Sequence, residues 1–319
     1  MAGLLVNGKW KSKDQFAEED GQYKRDDSQF RNWLTRDGSN GPEDQKGFPA
    51  EKNRYHLYVS YACPWAHRTL IFLHLKQLTD FIDVSVVHPH MGDDGWHFNQ
   101  DFHGATGDKL YGFEFMHQLY TKAKPDYTGT VTVPVLWDKK EETIVSNESA
   151  DIIRMFNSAF NELTDHYEDF YPKDLQDKIN TVNTRVYNTV NNGVYKAGFA
   201  TSQDAYNKEV TTLFESLDWL ESKVLQNNDY LIGNRFTEAD IRLLTTLLRF
   251  DAVYHTHFKC NLYRISDYPK IQAYLERLYN LKEVRSTVFM DHIKTHYYTS
   301  HPSVNPSAIV PKGPLLKWL

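Results

Sequence analysis

The chain carries 319 residues, enough for two ordinary domains or one large one, so burying a core poses no difficulty. Its 36 Lys and Arg against 42 Asp and Glu leave a formal net charge of -6, which repels polyanions and excludes nucleic acid from the expected partners. The 40% hydrophobic and 14% aromatic content excludes disorder, and no run approaches the roughly 20 apolar residues of a membrane span, so a soluble chain with no membrane role is expected.

The only apolar cluster near the start is Leu4 to Val6, with no basic segment before it, so no secretory signal is read. Two cysteines, Cys63 and Cys260, cannot build a disulfide framework, and that scarcity predicts a reducing, cytoplasmic setting. The 20 Tyr, 18 Phe and 7 Trp fit either an aromatic core or an aromatic-lined cleft.

Residues 1–50 are polar and aperiodic, with Phe30 and Trp33 as an aromatic pair, and read as an N-terminal arm. Tyr55 to Ser60 alternates as a strand does, then meets Ala62-Cys63-Pro64-Trp65 and a helical stretch from Ala66 to Leu78. Pro64 suits the first helical position, where its missing N–H costs nothing. Ile82 to Val87 is a second strand, making 55–87 a right-handed βαβ unit. His88 to Tyr127 is too long for a simple connection and reads as a functional or partly helical insertion. Thr130 to Trp137 and Thr143 to Val145 form a predicted hairpin, and Ser146 is the expected N-cap of an amphipathic helix with Ile152, Ile153 and Phe156. This order predicts a thioredoxin-like α/β domain over 51–160. Beyond it, helical periodicity runs through Leu175 to Tyr195, Ala205 to Leu225, Ala239 to Val253 and Ile271 to Leu281, giving an all-helical domain over 161–300. Phe236, Thr237, Asp240 and Ile241 fit a hydrophobic staple around a capping box. Four prolines between Ser300 and Leu319 predict a surface strap over 301–319.

A thiol where a strand turns into a helix sits among unpaired N–H groups and the positive end of the helix dipole, both of which stabilise a thiolate. Cys63 is therefore read as a nucleophile rather than a small buried hydrophobe. Ala66 stands where a dithiol motif would place its second cysteine, so a mixed disulfide on Cys63 needs an outside thiol to resolve it. Cys260 reads as structural, with a resolving role left open. Val133-Pro134 interrupts a strand pattern, as an edge-strand trans proline or as a cis bond, and the thioredoxin-like context favours cis. Val133 would then pair with an extended peptide-like ligand. Glu148-Ser149 is either an ordinary helix start or a clamp for an amino-acid head group. A thiolate, a strand-pairing residue and such a clamp together describe glutathione. The pairs His88/His90, His255/His257 and His292/His296 are not expected to bind metal, because no HExxH and no acidic partners accompany them.

Ala62-Cys-Pro-Trp-Ala-His-Arg68, Thr132-Val-Pro-Val-Leu-Trp-Asp138, Ser146-Asn-Glu-Ser149, Asn192-Gly-Val-Tyr-Lys-Ala-Gly-Phe199 and His296-Tyr-Tyr-x-Ser-His301 together resemble the Xi class of glutathione transferases, the glutathionyl-hydroquinone reductases. The resemblance runs from Phe30 to Pro306. It implies the glutathione transferase fold, and reduction of glutathionyl-hydroquinones through a Cys63–glutathione disulfide with release of oxidised glutathione. It implies glutathione as co-substrate, held by Trp96, Thr130, Val131, Thr132, Val133, Glu148 and Ser149. It further implies Tyr195 as proton donor, Tyr254 and Tyr297 as hydrogen-bond donors to the thiolate, and a homodimer. The competing reading is an omega-like thioltransferase or dehydroascorbate reductase that uses Cys63 without Tyr195; a non-enzymatic interaction protein on the same scaffold is a third.

Overall fold

The structure is a computed structural model; residues 3–12, 21–23 and 26–319 are described. The chain divides into two compact units, one of residues 1–14, 26–168 and 289–300, the other of residues 15–25, 169–288 and 301–319.

In the first unit, the arm is more ordered than its composition suggests. Strands β1 (Gly3–Val6) and β2 (Lys9–Ser12) form an antiparallel hairpin, and β1 also pairs with β7 (Gly129–Thr130). Strands β3 (Trp33–Thr35) and β4 (Gly47–Pro49) pair in parallel. The arm reading therefore needs correcting for these stretches, whose three- and four-residue strands are too short to show a period. Residues 13–20, 24 and 25 of the arm lie outside the described residues.

The main sheet has the order β6-β5-β8-β9, from β5 (Tyr55–Val59), β6 (Asp83–Val86), β8 (Val135–Asp138) and β9 (Thr143–Ser146). β5 pairs in parallel with β6 and antiparallel with β8, and all five of its residues are buried, as a central strand covered on both faces requires. Between β5 and β6 runs α1 (Pro64–Leu75), completing the predicted βαβ unit, with Pro64 in its first turn. The helix stops three residues before the predicted end. Gln77 takes a left-handed φ of 55°, and the Leu78 N–H donates to the Leu73 carbonyl at 2.8 Å, a Schellman closure.

The insertion contains α2 (Met116–Ala123). The expected Thr130–Trp137 strand is broken, since only Gly129–Thr130 and Val135–Asp138 are in ladders. Pro134 has no N–H to offer a neighbour, so pairing resumes after it. Helix α3 (Ser149–Ser158) packs on α1, and a short α4 (Asn161–Thr164) follows. The first unit also contains Met290–Ser300, a helix from a part of the sequence assigned above to the helical domain.

The second unit is helical, as its periodicity predicts. α5 (Gln176–Val186), α7 (Gln203–Trp219) and α8 (Glu238–Arg249) each run into a five-residue π-helical turn, at Tyr187–Asn191, Leu220–Val224 and Phe250–Tyr254. α6 (Gly193–Gly198), α9 (Pro269–Tyr279) and α10 (Lys282–Arg285) complete it, and Met290–Ser300 is α11. Gly198 is required for packing, since a Cβ there would lie 2.2 Å from the Phe258 ring. Residues 301–319 contain no helix or strand.

Candidate active site

Cys63 is the N-cap residue of α1, in extended conformation with φ -75° and ψ 121°. Its carbonyl accepts from His67 N at 3.0 Å, the first bond of the helix, and its side chain is partly exposed. The N–H groups of the first turn have no acceptors within the helix, so negative charge on this sulfur is favoured by local dipoles. The thiol donates to the carbonyl of Val133 at 3.5 Å, and the Val133–Pro134 peptide is cis, as expected. Ionising the sulfur removes that donor and frees the Val133 carbonyl for another N–H.

Glu148, not Ser146, caps α3. The Glu148 Oε1 accepts from Ala150 N at 2.9 Å, while Ser146 Oγ accepts from Glu148 N at 3.1 Å. Ser146 misses the role because it is the last residue of β9, two positions short of the helix. The second oxygen, Glu148 Oε2, accepts from Ser28 Oγ at 3.1 Å, so the carboxylate is held from both sides. Ser149, buried, follows in the first turn. A carboxylate oriented in this way at a helix start is placed to accept from a cation.

Trp96 is buried and stacks on His296 of α11, centroids 4.7 Å apart and planes 21° from parallel. His296 Nδ1 in turn bonds the Pro89 carbonyl at 2.9 Å, and His292 bonds the His103 carbonyl. The insertion is thus tied to the helix that carries Tyr297, itself buried with its ring edge-on to His296. His88 stacks on His97 at 4.6 Å. Among the described residues no three His, Cys, Asp or Glu side chains group as metal ligands. Phe98 packs edge-on to Tyr58 of β5.

Thr130 lies in β7 opposite Leu4, and Val131 is buried. Tyr120 was not singled out by sequence, being one of 20 tyrosines. Its hydroxyl donates to Thr132 O at 2.9 Å and accepts from Thr132 N and Asn147 Nδ2, both at 3.2 Å. Ser28 was also missed. Its hydroxyl reaches the Asn147 carbonyl as well as Glu148, and a lone serine in an aperiodic arm gives no signal for that.

Tyr195 and Tyr254 belong to the second unit. Tyr195, half-buried on α6, lies 6.0 Å from the Tyr254 ring and stacks on Tyr23 at 6.2 Å. Tyr254, fully buried, closes the π-turn after α8 and stacks on Phe258. Cys260 is fully buried in the same unit, and burial pushes its thiol well above the usual range.

A thioredoxin-like sheet with a thiol at the start of α1 and a cis-proline beside it, together with an all-helical unit, is the build of a glutathione transferase. The profile for the glutathione S-transferase N-terminal domain matches residues 62–159, and that for the C-terminal domain residues 203–277. The chain is 56% identical to the glutathionyl-hydroquinone reductase YqjG of Escherichia coli K12, over 98% of this chain and 95% of that one. It is 47% identical to the glutathionyl-hydroquinone reductase PcpF of Sphingobium chlorophenolicum, over 98% and 96%. The glutathione-bound structure of YqjG superposes with a TM-score of 0.92 at 55% identity, over 99% and 97% of the two chains. The Xi transferase of Phanerochaete chrysosporium gives 0.87 at 54%, over 92% and 98%. The chain belongs to the Xi class of glutathione transferases, the family of the glutathionyl-hydroquinone reductases. Among the described residues no helix is long and apolar enough to cross a membrane.

Proposed function

We propose that this protein reduces glutathionyl-hydroquinones to hydroquinones, with glutathione as the reductant and Cys63 as the nucleophile. The Cys63 thiolate attacks the sulfur of the substrate's glutathionyl group, forming a Cys63–glutathione disulfide. The carbon–sulfur bond breaks, its electron pair passes to the ring carbon, and Tyr195 supplies the proton that makes a carbon leaving group acceptable. A second glutathione thiolate then attacks the mixed disulfide, releasing oxidised glutathione and restoring the Cys63 thiolate. Trp96, Thr130 to Val133, Glu148 and Ser149 hold the glutathionyl group, with the Val133 backbone pairing to it and Glu148 taking its ammonium. Tyr254 and Tyr297 stabilise the thiolate by hydrogen bonding. A cytoplasmic homodimer completes the reading, which light scattering after size exclusion tests by mass.

The observation that carries the reading is the monothiol arrangement: Cys63 caps α1 beside the Val133 carbonyl, and Ala66 stands where a dithiol motif places its second cysteine. Single-turnover mass spectrometry with a glutathionyl-hydroquinone tests it. Wild type is expected to gain one glutathione on Cys63 while releasing stoichiometric hydroquinone, and Cys63→Ala to do neither. Glutathione binding without adduct or release overturns the reductase.

A second reading, omega-like thioltransferase activity, is favoured by one observation. A protein named glutathione S-transferase omega-like 2 in Schizosaccharomyces pombe is 48% identical over 96% of both chains. Tyr195→Phe separates the two: slowed hydroquinone release with intact disulfide exchange supports the reductase, unchanged release supports the thioltransferase.

A further inference from the structure

The β8–β9 ladder ends at Leu136 opposite Ser146, and the next residues outward on the two strands run toward Thr132–Val133 and Asn147–Glu148. These are the two walls that the proposed function assigns to opposite parts of glutathione, and no backbone bond joins them: Pro134 has no N–H, and the ladder has stopped. Among the described residues the hydroxyl of Tyr120 reaches both. A phenol offers one donor and accepts two hydrogen bonds. Here the donor goes to Thr132 O, and the acceptors take Thr132 N–H and the Asn147 side-chain amide. Its capacity is fully used. Asn147 is fixed further by its Oδ1, which accepts from Phe30 N at 3.2 Å, and by its own N–H, which donates to Phe30 O at 3.1 Å. The Tyr120 ring is fully buried, between Phe30 edge-on at 5.9 Å and Tyr127 at 5.2 Å, so the hydroxyl cannot swing away.

We infer that Tyr120 is a positioning residue for glutathione, its hydroxyl replacing the missing ladder bonds and setting the distance between the strand that pairs with the peptide and the helix start that takes the amino-acid head group. This rests on the site reading given above. The Tyr120 hydroxyl bonds Thr132 and Asn147, which belong to the binding walls, so its influence is expected on binding and not on the thiol.

The test compares wild type with Tyr120→Phe, which keeps the ring, in two measurements. One is the Kd for reduced glutathione by calorimetry; the other is the rate at which iodoacetamide, which has no head group, alkylates Cys63. The expected result is a Kd raised roughly tenfold, the scale of one to two lost hydrogen bonds, with alkylation unchanged. A Kd within about a factor of two of wild type overturns the inference. So does a parallel loss in both measurements, which marks a merely structural role. Should Tyr120→Phe fail to fold, Asn147→Ala, which removes one of the three Tyr120 bonds together with the bond to Phe30 N, is judged by the same two readouts. A wild type that binds no glutathione sinks the site reading itself, and Cys63→Ala that still binds it while Tyr120→Phe matches wild type sinks only the role of Tyr120.

Discussion

A single indole illustrates how packing and a proposed binding role can be tested apart at one side chain. Trp96 is 6% exposed and stacked on His296, so removing it leaves a cavity as well as an altered site. Trp96→Ala is expected to cost about 3–5 kcal/mol, the range for emptying a large aromatic site, and to raise KM for glutathionyl substrates. Trp96→Phe retains a ring for His296 and separates the effects: melting close to wild type with a raised KM assigns Trp96 to the ligand, whereas an unchanged KM leaves it a packing residue. Cys63 and Pro64 were readable at this scale because a thiol before a helix-starting proline has few alternative explanations. Tyr120 and Ser28 were not, because what distinguishes them is the partner across 27 and 120 residues of sequence rather than anything in their own neighbourhood.

Among the elements, α8 shows most directly how a sequence motif becomes a mechanical part. Thr237 N and Oγ1 both donate to Asp240 Oδ2, at 2.8 and 3.2 Å, and Asp240 N donates to the Thr237 carbonyl at 3.1 Å. Asp240 is wholly buried, and its other oxygen accepts from Leu231 N at 2.8 Å and Tyr274 Oη at 3.0 Å, so the box also ties a loop and α9 to this helix. Burial pushes its carboxyl up to about 6 despite these donors. Thr237→Ala is expected to destabilise by about 1–2 kcal/mol, as a lost N-cap does. Asp240→Ala should cost more, since it removes the acceptor of four donors at once, Leu231 N, Thr237 N, Thr237 Oγ1 and Tyr274 Oη. Urea midpoints that place the two variants in the opposite order would show the box to be local. This element was legible because a staple and a box are local patterns. α11 was not recognised as a helix of the first unit for the opposite reason: its buried face is His292, His296, Tyr297, Tyr298 and Ser300 around a single Ile293, and polar groups that earn burial through hydrogen bonds leave no apolar period. The broken Thr130–Trp137 strand lies between these cases, since the sequence showed Pro134 but not on which side of it pairing would resume.

For the molecule as a whole, acid should act through histidines folded into apolar surroundings. His56, on β5, is fully buried with Nε2 bonded to Ser85 Oγ at 2.8 Å, and burial pushes its pKa down from 6.5 to about 4. The unfolded chain therefore binds a proton below pH 6.5 that the folded chain refuses until about pH 4, so stability falls as pH drops through that window. His56→Asn is expected to flatten the decline between pH 6.5 and 4 by about 3 kcal/mol, the size of that displacement; denaturation curves of the two proteins that stay parallel would show His56 to be charged in the fold. The membership of α11 in the first unit bears on how the chain is made. Synthesis runs from the N-terminus, and domains ordinarily close as they emerge from the ribosome. Here, when residue 168 has emerged, Trp96 still lacks the ring it stacks on, and Met91 the Ser300 hydroxyl that its N–H donates to at 2.9 Å. More than a hundred further residues, which carry the helices of the other unit, must be translated before those partners exist, so the unit that begins first cannot close until nearly the whole chain has been made.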